Sequence, residues 1–215
     1  MPYTQEGRTI QVETPLGKDK LLLNEVTVEE RVSTPFRMNL ELLSEEASVD
    51  FAKLVGKPMS VMMTSVHGER YFHGIVRRFR QKAPGGGLYV YEAELVPWLW
   101  LLTQTRNCRV FTAMTAPDII KAVFAHHGLE DHDFQLAGEY AERTYCVQYR
   151  ESDFAFVSRL MEEEGIHYTF LHEKERHVLV LRDASGNAPP IAGKAPSIKF
   201  RAQPGGNQPD EVVVT

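Results

Sequence analysis

The chain has 215 residues, of which 43% are hydrophobic and 25% are charged, a composition typical of folded globular proteins and not of disordered or fibrous ones. Its 24 Lys and Arg residues against 29 Asp and Glu residues give a net charge of −5, which argues against DNA or RNA as a partner. Two cysteines, Cys108 and Cys146, are too few for the disulfide framework of a small secreted domain.

The sequence has no segment with the apolar pattern of a signal peptide or a membrane span. Residues 1–20 lack an apolar stretch. The longest apolar run lies around residues 98–102, far below the ~20 residues that a membrane-spanning helix needs. We therefore expect a soluble protein that is made in a reducing compartment, without a signal peptide and without stable membrane insertion.

The first hundred residues carry the patterns of short β-strands. Single polar residues separate Phe36, Met38, Leu40 and Leu42, as in a strand with one buried face. Further strands are predicted at residues 9–13, 21–33, 59–65, 71–81 and 88–96, with a short helix over 49–55 capped by Ser48 and a Gly-rich loop at 84–87. This spacing of strands and turns predicts a small β-barrel or sandwich.

Gly74 lies in the middle of the predicted strand at residues 71–81. A glycine in a strand interior marks a bulge or a place where another part of the chain approaches closely. We expect a side chain at this position to disturb the barrel.

Helical patterns begin after about residue 104. Thr115 and Asp118 form a capping box with Pro117 in the first turn, and this predicts a helix that ends at Gly128. A second helix is predicted from Ser152 to Gly165, burying some combination of Phe154, Val157, Leu160 and Met161. A hairpin of residues 166–172 and 177–182 follows, so the fold class is α+β and mostly β.

The last thirty residues are rich in Pro and Gly and poor in apolar residues. Residues 197–201 form one candidate strand, which we expect to be isolated. Residues 211–215 begin like a strand that has no partner after it. We therefore expect the chain to be cut within a longer protein.

Histidines and carboxylates are the first candidates for chemistry. His126, His127 and His132 form the most metal-like cluster, but adjacent histidines on a helix point about 100° apart, so a helix terminus explains them better than a metal ion. The run at residues 162–164 offers three carboxylates for acid–base catalysis, although a solvated helix face accounts for it.

The remaining candidates also favour structural roles. Cys108 and Cys146 are not at predicted helix N-termini, Ser152 is better explained as a helix cap than as a nucleophile, and residues 85–87 lack the sequence of a phosphate loop. Trp98 and Trp100 form a carbohydrate or partner platform in one interpretation, and core or interface anchors in the favoured one. The sequence thus predicts no catalytic residues, no cofactor-binding residues and no metal ligands.

Four segments, taken together, resemble a known family. They are YFHGIV at residues 71–76, LVPWLWLLTQTRNCRVF at 95–111, TYCVQYRESDFAFVSRLMEEEG with IHYTF at 144–170, and HVLVLRDA at 177–184. Their order and spacing over residues 8–184 resemble the N-terminal part of the VgrG spike proteins of bacterial type VI secretion systems, which are related to the hub proteins of contractile phage tails. The two C-terminal segments carry most of the specificity.

The resemblance implies a phage-tail-hub-like fold with three parts. Residues 1–104 would form a first β-barrel, residues 105–184 an α+β insertion, and residues 185–215 a linker and the start of a second barrel that the chain does not complete. In the family, three chains assemble so that two barrels from each give a ring of pseudo-sixfold symmetry, which matches a hexameric tube.

The function implied by the resemblance is that of a structural hub and not of an enzyme. The expected partners are two further copies in the full-length homotrimer, a hexameric Hcp-like tube protein, baseplate subunits, and effectors or adaptors. The protein would be made in the bacterial cytoplasm and exported by the secretion machine. One alternative is the tail hub of a contractile phage. Another is a cell-wall hydrolase, whose activity would depend on His126, His127 or a carboxylate.

Overall fold

The computed structural model describes residues 3–65, 68–82, 87–184 and 186, and the backbone of two short strands near the C-terminus. Its larger sheet has six strands: β1 (Ile10–Glu13), β2 (Leu22–Arg31), β3 (Thr34–Ser44), β4 (Pro58–Ser65), β5 (Gly68–Gln81) and β6 (Tyr89–Val96). They lie in the order β1-β4-β5-β6-β3-β2, and each strand is antiparallel to its neighbours.

The six strands curl around an apolar core, as the sequence predicts. The alternation along β3 buries Phe36, Met38, Leu40 and Leu42 to 1% exposure or less, because every second side chain points inward. The two edge strands meet through one side chain: the Oε1 atom of Gln5 accepts hydrogen bonds from the backbone amides of Val12 in β1 (2.9 Å) and Leu23 in β2 (3.1 Å). This side chain supplies partners for two buried backbone amides at the seam of the barrel.

The helix predicted over residues 49–55 is wrong in its start and extent. The chain forms only a 3-10 turn, Phe51–Lys53, and its cap is Asp50 and not Ser48. The reason lies just downstream, where Gly56 N–H donates to the carbonyl of Val76 (2.8 Å). Because the backbone must return to β5 at this point, only one turn fits.

The second half of the described chain packs two helices against two small sheets. After a 3-10 helix (Trp98–Thr103), the elements are β7 (Arg106–Phe111), α1 (Ala116–His126), β8 (His132–Gln135), β9 (Cys146–Ser152), α2 (Asp153–Glu163), β10 (His167–His172) and β11 (His177–Arg182). Strand β7 pairs with β9, and β11 pairs with β10 on one side and in parallel with β8 on the other. We call residues 105–184 the insertion.

Both helix starts confirm the predicted caps. The Oγ1 atom of Thr115 accepts from Asp118 N–H (3.3 Å), and the Oγ atom of Ser152 accepts from Ala155 N–H (3.1 Å). The prediction that α2 buries some combination of Phe154, Val157, Leu160 and Met161 is confirmed by the last three, while Phe154 is partly buried against the same core. Phe156, which is fully buried, was not among the predicted residues. Phe156 stacks on Phe111 of β7 (5.6 Å between ring centroids), and that strand decides which face of the helix turns inward.

Near the C-terminus, β12 (Lys199–Arg201) pairs in parallel with β13 (Val212–Val214). The prediction of an isolated strand is therefore wrong. The rest of the predicted Pro/Gly-rich linker, apart from residue 186, and residues 84–86 of the predicted loop lie outside the described residues. In the part of the chain that is described, no helix is both long and apolar enough to cross a membrane.

Strand β5 is shared by the two halves. Phe72 and Val76 face the barrel core, whereas Ile75 packs against the core of the insertion and His73 contacts β10 and β11. Because side chains alternate along a strand, one segment serves as a wall for both cores. Gly74 faces the barrel, where an added Cβ atom would lie 2.8 Å from Met38 Cε and 3.1 Å from Leu95 Cβ.

We predict that Gly74→Val destabilises the barrel by about 1–3 kcal/mol, because the added side chain overpacks a filled core. The measurement is the melting temperature, together with the yield of soluble protein. Thr64→Val is the matched control, since it places the same side chain on the exposed surface of the adjacent strand β4. Melting of Gly74→Val at the wild-type temperature would show that the close approach has no energetic weight.

Candidate functional site

The histidines that looked most metal-like do not converge. His126 is exposed at the end of α1, and its ring stands perpendicular to that of His127, with centroids 5.1 Å apart. His132 lies on β8 against Phe124 and Phe134, and burial lowers its pKa. Across the described ranges, no group of three or more His, Cys, Asp and Glu side chains is arranged to hold a metal ion.

The acidic run at the end of α2 is engaged in ion pairs. Arg143 donates to Glu163 (2.7 Å) and to Glu164 (2.5 Å), and Arg159 donates to Glu163 (3.2 Å). The hydrogen bonds from Arg143 lower the pKa of Glu163. Two of the three carboxylates thus hold the loop before β9 against the helix, which agrees with the structural interpretation of the run.

The other sequence candidates lie apart from one another. Cys108 is exposed on β7 and Cys146 is buried on β9, both as free thiols, and the Oγ atom of Ser152 serves the cap of α2. Trp98 is 5% exposed and packs edge-on against Phe124, so it belongs to the core and forms no platform. Trp100 is partly exposed, and the guanidinium of Arg77 lies over its ring at 5.1 Å.

A buried carboxylate that the sequence analysis missed organises the insertion. The side chain of Asp153, the first residue of α2, has no exposed surface. It accepts hydrogen bonds from the side chains of five residues on three segments: Thr105, Asn107, Arg109, His127 and Gln148. The carboxylate therefore ties β7, β9 and the C-terminal end of α1 to the start of α2.

The surroundings of Asp153 keep it ionised. Burial alone raises the pKa of this carboxyl, but the hydrogen bonds from Gln148, Asn107, His127 and Thr105 outweigh that effect and hold the pKa well below its usual range. With this many donors its oxygens are poor general bases. The geometry instead suits an anchor that orients secondary structure.

A second buried carboxylate lies on the outer face of the barrel. The side chain of Glu94 on β6 is 6% exposed and contacts Arg37 (3.2 Å), Arg77 (2.9 Å) and Arg78 (2.9 Å). A β-bulge between Val76 and Arg78 brings two consecutive arginines to the same carboxylate. This cluster fixes the register of β3, β5 and β6 at one point.

A third polar cluster lies where the barrel and the insertion meet. His73 of β5 and His177 of β11 are 7% and 2% exposed, and their Nδ1 atoms are 2.8 Å apart. The Nε2 atom of His177 accepts a hydrogen bond from the backbone amide of Trp98 (2.9 Å). Burial and the neighbouring histidines lower the pKa of His73 to about 4 and that of His177 to about 3.

His172 of β10 connects this pair to β2. Its Nδ1 atom is 3.1 Å from the amide nitrogen and 3.2 Å from the carbonyl oxygen of His73, and its Nε2 atom is 2.9 Å from Glu30 Oε1. The hydrogen bond from His172 lowers the pKa of Glu30. We call His73, His172 and His177 the junction histidines.

Sequence reasoning did not single out the junction histidines because 104 residues separate His73 from His177. Their positions in the HGIV and HVLVLR segments mark them only as histidines next to apolar strand residues. The same holds for Asp153, which looks like an ordinary acidic residue in the first turn of a helix. Only the fold brings their partners together.

Comparisons with known proteins agree with this architecture. The family model for the phage tail baseplate hub (GPD) matches residues 29–215. The type VI secretion system spike proteins VgrG1c and VgrG1b of Pseudomonas aeruginosa are 48% and 45% identical to the chain over 86% and 91% of its length. The match covers 26% and 27% of those two proteins, so the chain spans about a quarter of their length.

A solved structure from Escherichia coli shows the same fold. It is described as a component of the type VI secretion system with structural similarity to bacteriophage T4 tail proteins, and it matches with a TM-score of 0.69 at 25% identity. The match covers 80% of this chain and 51% of that one. These findings confirm the resemblance inferred from the sequence and the hub-like, mostly β fold.

We predict that Asp153→Asn destabilises the chain by about 3 kcal/mol at pH 7, because the amide nitrogen would face hydrogen-bond donors inside the insertion. The carboxylate's contribution is present above its unfolded pKa of about 3.8 and is lost as the pH falls, so the difference from wild type should shrink below pH 4. Urea unfolding at pH 7 and at pH 3 measures both effects. Glu162→Gln, an exposed change on the same helix, is the control; equal stability of the two variants at pH 7 would contradict the anchoring role.

Proposed function

The chain belongs to the phage tail baseplate hub (GPD) family, and from this premise we propose that it is the N-terminal hub part of a type VI secretion spike. In this role it joins the puncturing tip to the tube and helps to deliver effectors. The observation that carries the proposal is the 45–48% identity to VgrG spike proteins over most of the chain. These matches span 85–91% of the chain, so they include most of the barrel and most of the insertion.

The two apolar cores support the proposed division of the chain. The first core is formed by residues between Val12 and Leu95, and the second by residues between Trp98 and Leu181. We propose a barrel at residues 1–104, an insertion at 105–184, and a linker with the start of a further barrel at 185–215. The connecting 3-10 helix contributes Trp98, Leu99 and Leu102 to the second core.

We further propose that this part of the spike acts through shape and not through catalysis. Its three polar clusters hold secondary-structure elements together, and the buried carboxylates Asp153 and Glu94 are saturated by donors and cations. The hydrolase alternative depended on His126, His127 or a carboxylate, and the structure pairs His127 with Asp153 as a tie between α1 and α2.

In the complete spike we propose a homotrimer whose barrels form a ring that fits a hexameric Hcp-like tube protein. Baseplate subunits and effectors or adaptors are the other proposed partners. The complete protein would be made in the cytoplasm without a signal peptide and then exported by the machine. The similarity of this chain to spike proteins of the type VI secretion system supports export by that machine.

The test is an in-frame deletion of the segment encoding residues 1–215 in the bacterium that carries the gene. We expect the tube protein to disappear from the culture medium, and the undeleted gene supplied in trans to restore it. We expect a gene carrying Gly74→Val to restore export of the tube protein only weakly. A gene carrying Thr64→Val is the matched control, and we expect it to restore export fully. The intact mass of the protein encoded by the undeleted gene, measured by mass spectrometry from the same cells, gives the number of residues that the full-length protein has beyond the hub.

Three outcomes would contradict the proposal. Continued export of the tube protein after the deletion, with no other spike gene expressed, would show that the segment is not a hub of that machine. Loss of phage particles with unchanged export would assign the chain to a contractile phage tail. Peptidoglycan hydrolysis by the purified chain that is abolished by His127→Gln would instead support the enzymatic alternative.

A further inference from the structure

The contact between the barrel and the insertion depends on buried imidazoles. Two strands of the insertion reach the barrel wall here, β10 through His172 and β11 through His177, and the amide of Trp98 in the 3-10 helix donates to His177. Phe36 of the barrel packs between these groups, with its ring 5.0 Å from that of Phe170 and 5.3 Å from that of His177. The junction is therefore compact and mostly excluded from water.

The hydrogen bonds determine where the protons lie. Because the amide of Trp98 donates to His177 Nε2, that nitrogen carries no proton, and the neutral ring of His177 carries its proton on Nδ1. This proton is donated to Nδ1 of His73, which must accept it without a proton of its own. The pair thus shares one proton between two Nδ1 atoms, and both rings are neutral.

A second proton cannot be added without breaking a contact. Protonation of His73 at Nδ1 would place two N–H groups head to head at 2.8 Å, and protonation of His177 at Nε2 would oppose the amide of Trp98 at 2.9 Å. His172 differs, because its Nδ1 atom lies within reach of both the amide and the carbonyl of His73. It accepts from the amide when neutral and donates to the carbonyl when charged.

We propose that His73 and His177 form an acid-sensitive latch, which holds the insertion against the barrel while the two rings share one proton and releases it when a second proton arrives. Release here means separation at the junction while both apolar cores stay folded. Other contacts across the junction do not depend on these rings, such as Ser33 N–H to the carbonyl of Tyr168 (2.9 Å) and the ion pair of Lys174 with Glu13 (2.9 Å).

The charged groups around the latch act in opposite directions. Protonated His172 disfavours a further charge on either ring, while the charge of Asp131 favours protonation of His73. Glu30 compensates the charge of His172 and is itself close to Arg70 (3.8 Å). Further charged groups line a surface cleft that His73 also lines: Glu13, Lys57, Lys174 and Glu175.

The direction of the pH effect follows from the lowered pKa values of His73 and His177. Both lie below the ordinary value of 6.5, so the separated state binds more protons than the closed state between pH 6.5 and about pH 4. Closure is therefore fully favoured above pH 6.5 and weakens as the pH falls through this window. The equilibrium shifts toward separation by up to about tenfold per pH unit for each proton taken up.

The test is amide hydrogen exchange of the 215-residue chain between pH 7 and pH 4, followed by NMR and corrected for the intrinsic exchange rate at each pH. We expect the protection of the Ser33 amide, which donates to the carbonyl of Tyr168 across the junction and depends on no imidazole, to fall at least tenfold between pH 6 and pH 4. Amides inside β3, β6 and α2 should keep their protection over the same range. Imidazole ¹⁵N shifts of the wild-type protein report directly when His73 and His177 become charged.

A variant separates the latch from general acid sensitivity. His73→Gln removes one titrating ring and retains a group that accepts the proton of His177, so we expect loss of junction protection to move to lower pH. His126→Gln, an exposed histidine on α1, should leave the profile unchanged. Simultaneous loss of amide protection in the junction and in both cores would overturn the proposal. So would ¹⁵N shifts that show charged His73 and His177 rings while the junction amides stay protected. This second outcome is measured on the wild-type protein, so it does not depend on the folding of His73→Gln.

Discussion

Strand β5 is buried on both faces, and this constraint determines how the rest of the described chain is arranged. Its inward residues, Phe72 and Val76, complete the barrel, and its outward residues, His73 and Ile75, meet the insertion. A strand with two apolar faces would be easy to shift in register, because a slip by one residue would exchange two similar surfaces. The alternation of Gly74 inside with His73 outside prevents this, since a histidine does not fit where the Gly74 Cβ would already meet Met38.

Buried polar groups supply the specificity that apolar packing lacks. Asp153 accepts hydrogen bonds from three segments at one point, and Glu94 contacts three arginines from two strands. Desolvating such groups costs more than burying apolar side chains of similar size, so each makes a poor contribution to stability by itself. Each one nevertheless excludes alternative arrangements, because a fold that separated the carboxylate from its donors would leave a buried charge without compensation.

The sequence was most informative about local structure. The caps at Thr115 and Ser152, the alternation along β3 and the hairpin of β10 and β11 depend on residues within a few positions of one another, and all were predictable. The errors arose where distant contacts override local preference. Phe156 was not identified as a core residue because its partner Phe111 lies on the distant strand β7. The helix after Ser48 is shortened because Gly56 must bond to Val76. Asp153 and the junction histidines could not be found because their partners are far away in sequence.

In a hub, the apolar cores and the polar junction have different tasks. Ile75 and Phe170 carry apolar contact between the two cores, and the junction histidines beside them fix how the barrel and the insertion are positioned. Directional groups suit that task, since hydrogen bonds lose strength quickly when donor and acceptor move apart or tilt. On the outer face of the barrel, the single carboxylate of Glu94 contacts the guanidinium groups of Arg37, Arg77 and Arg78, so this cluster keeps a net positive charge. An excess of charge of this kind acts on partners at long range, whereas the directional bonds of the junction act only at contact.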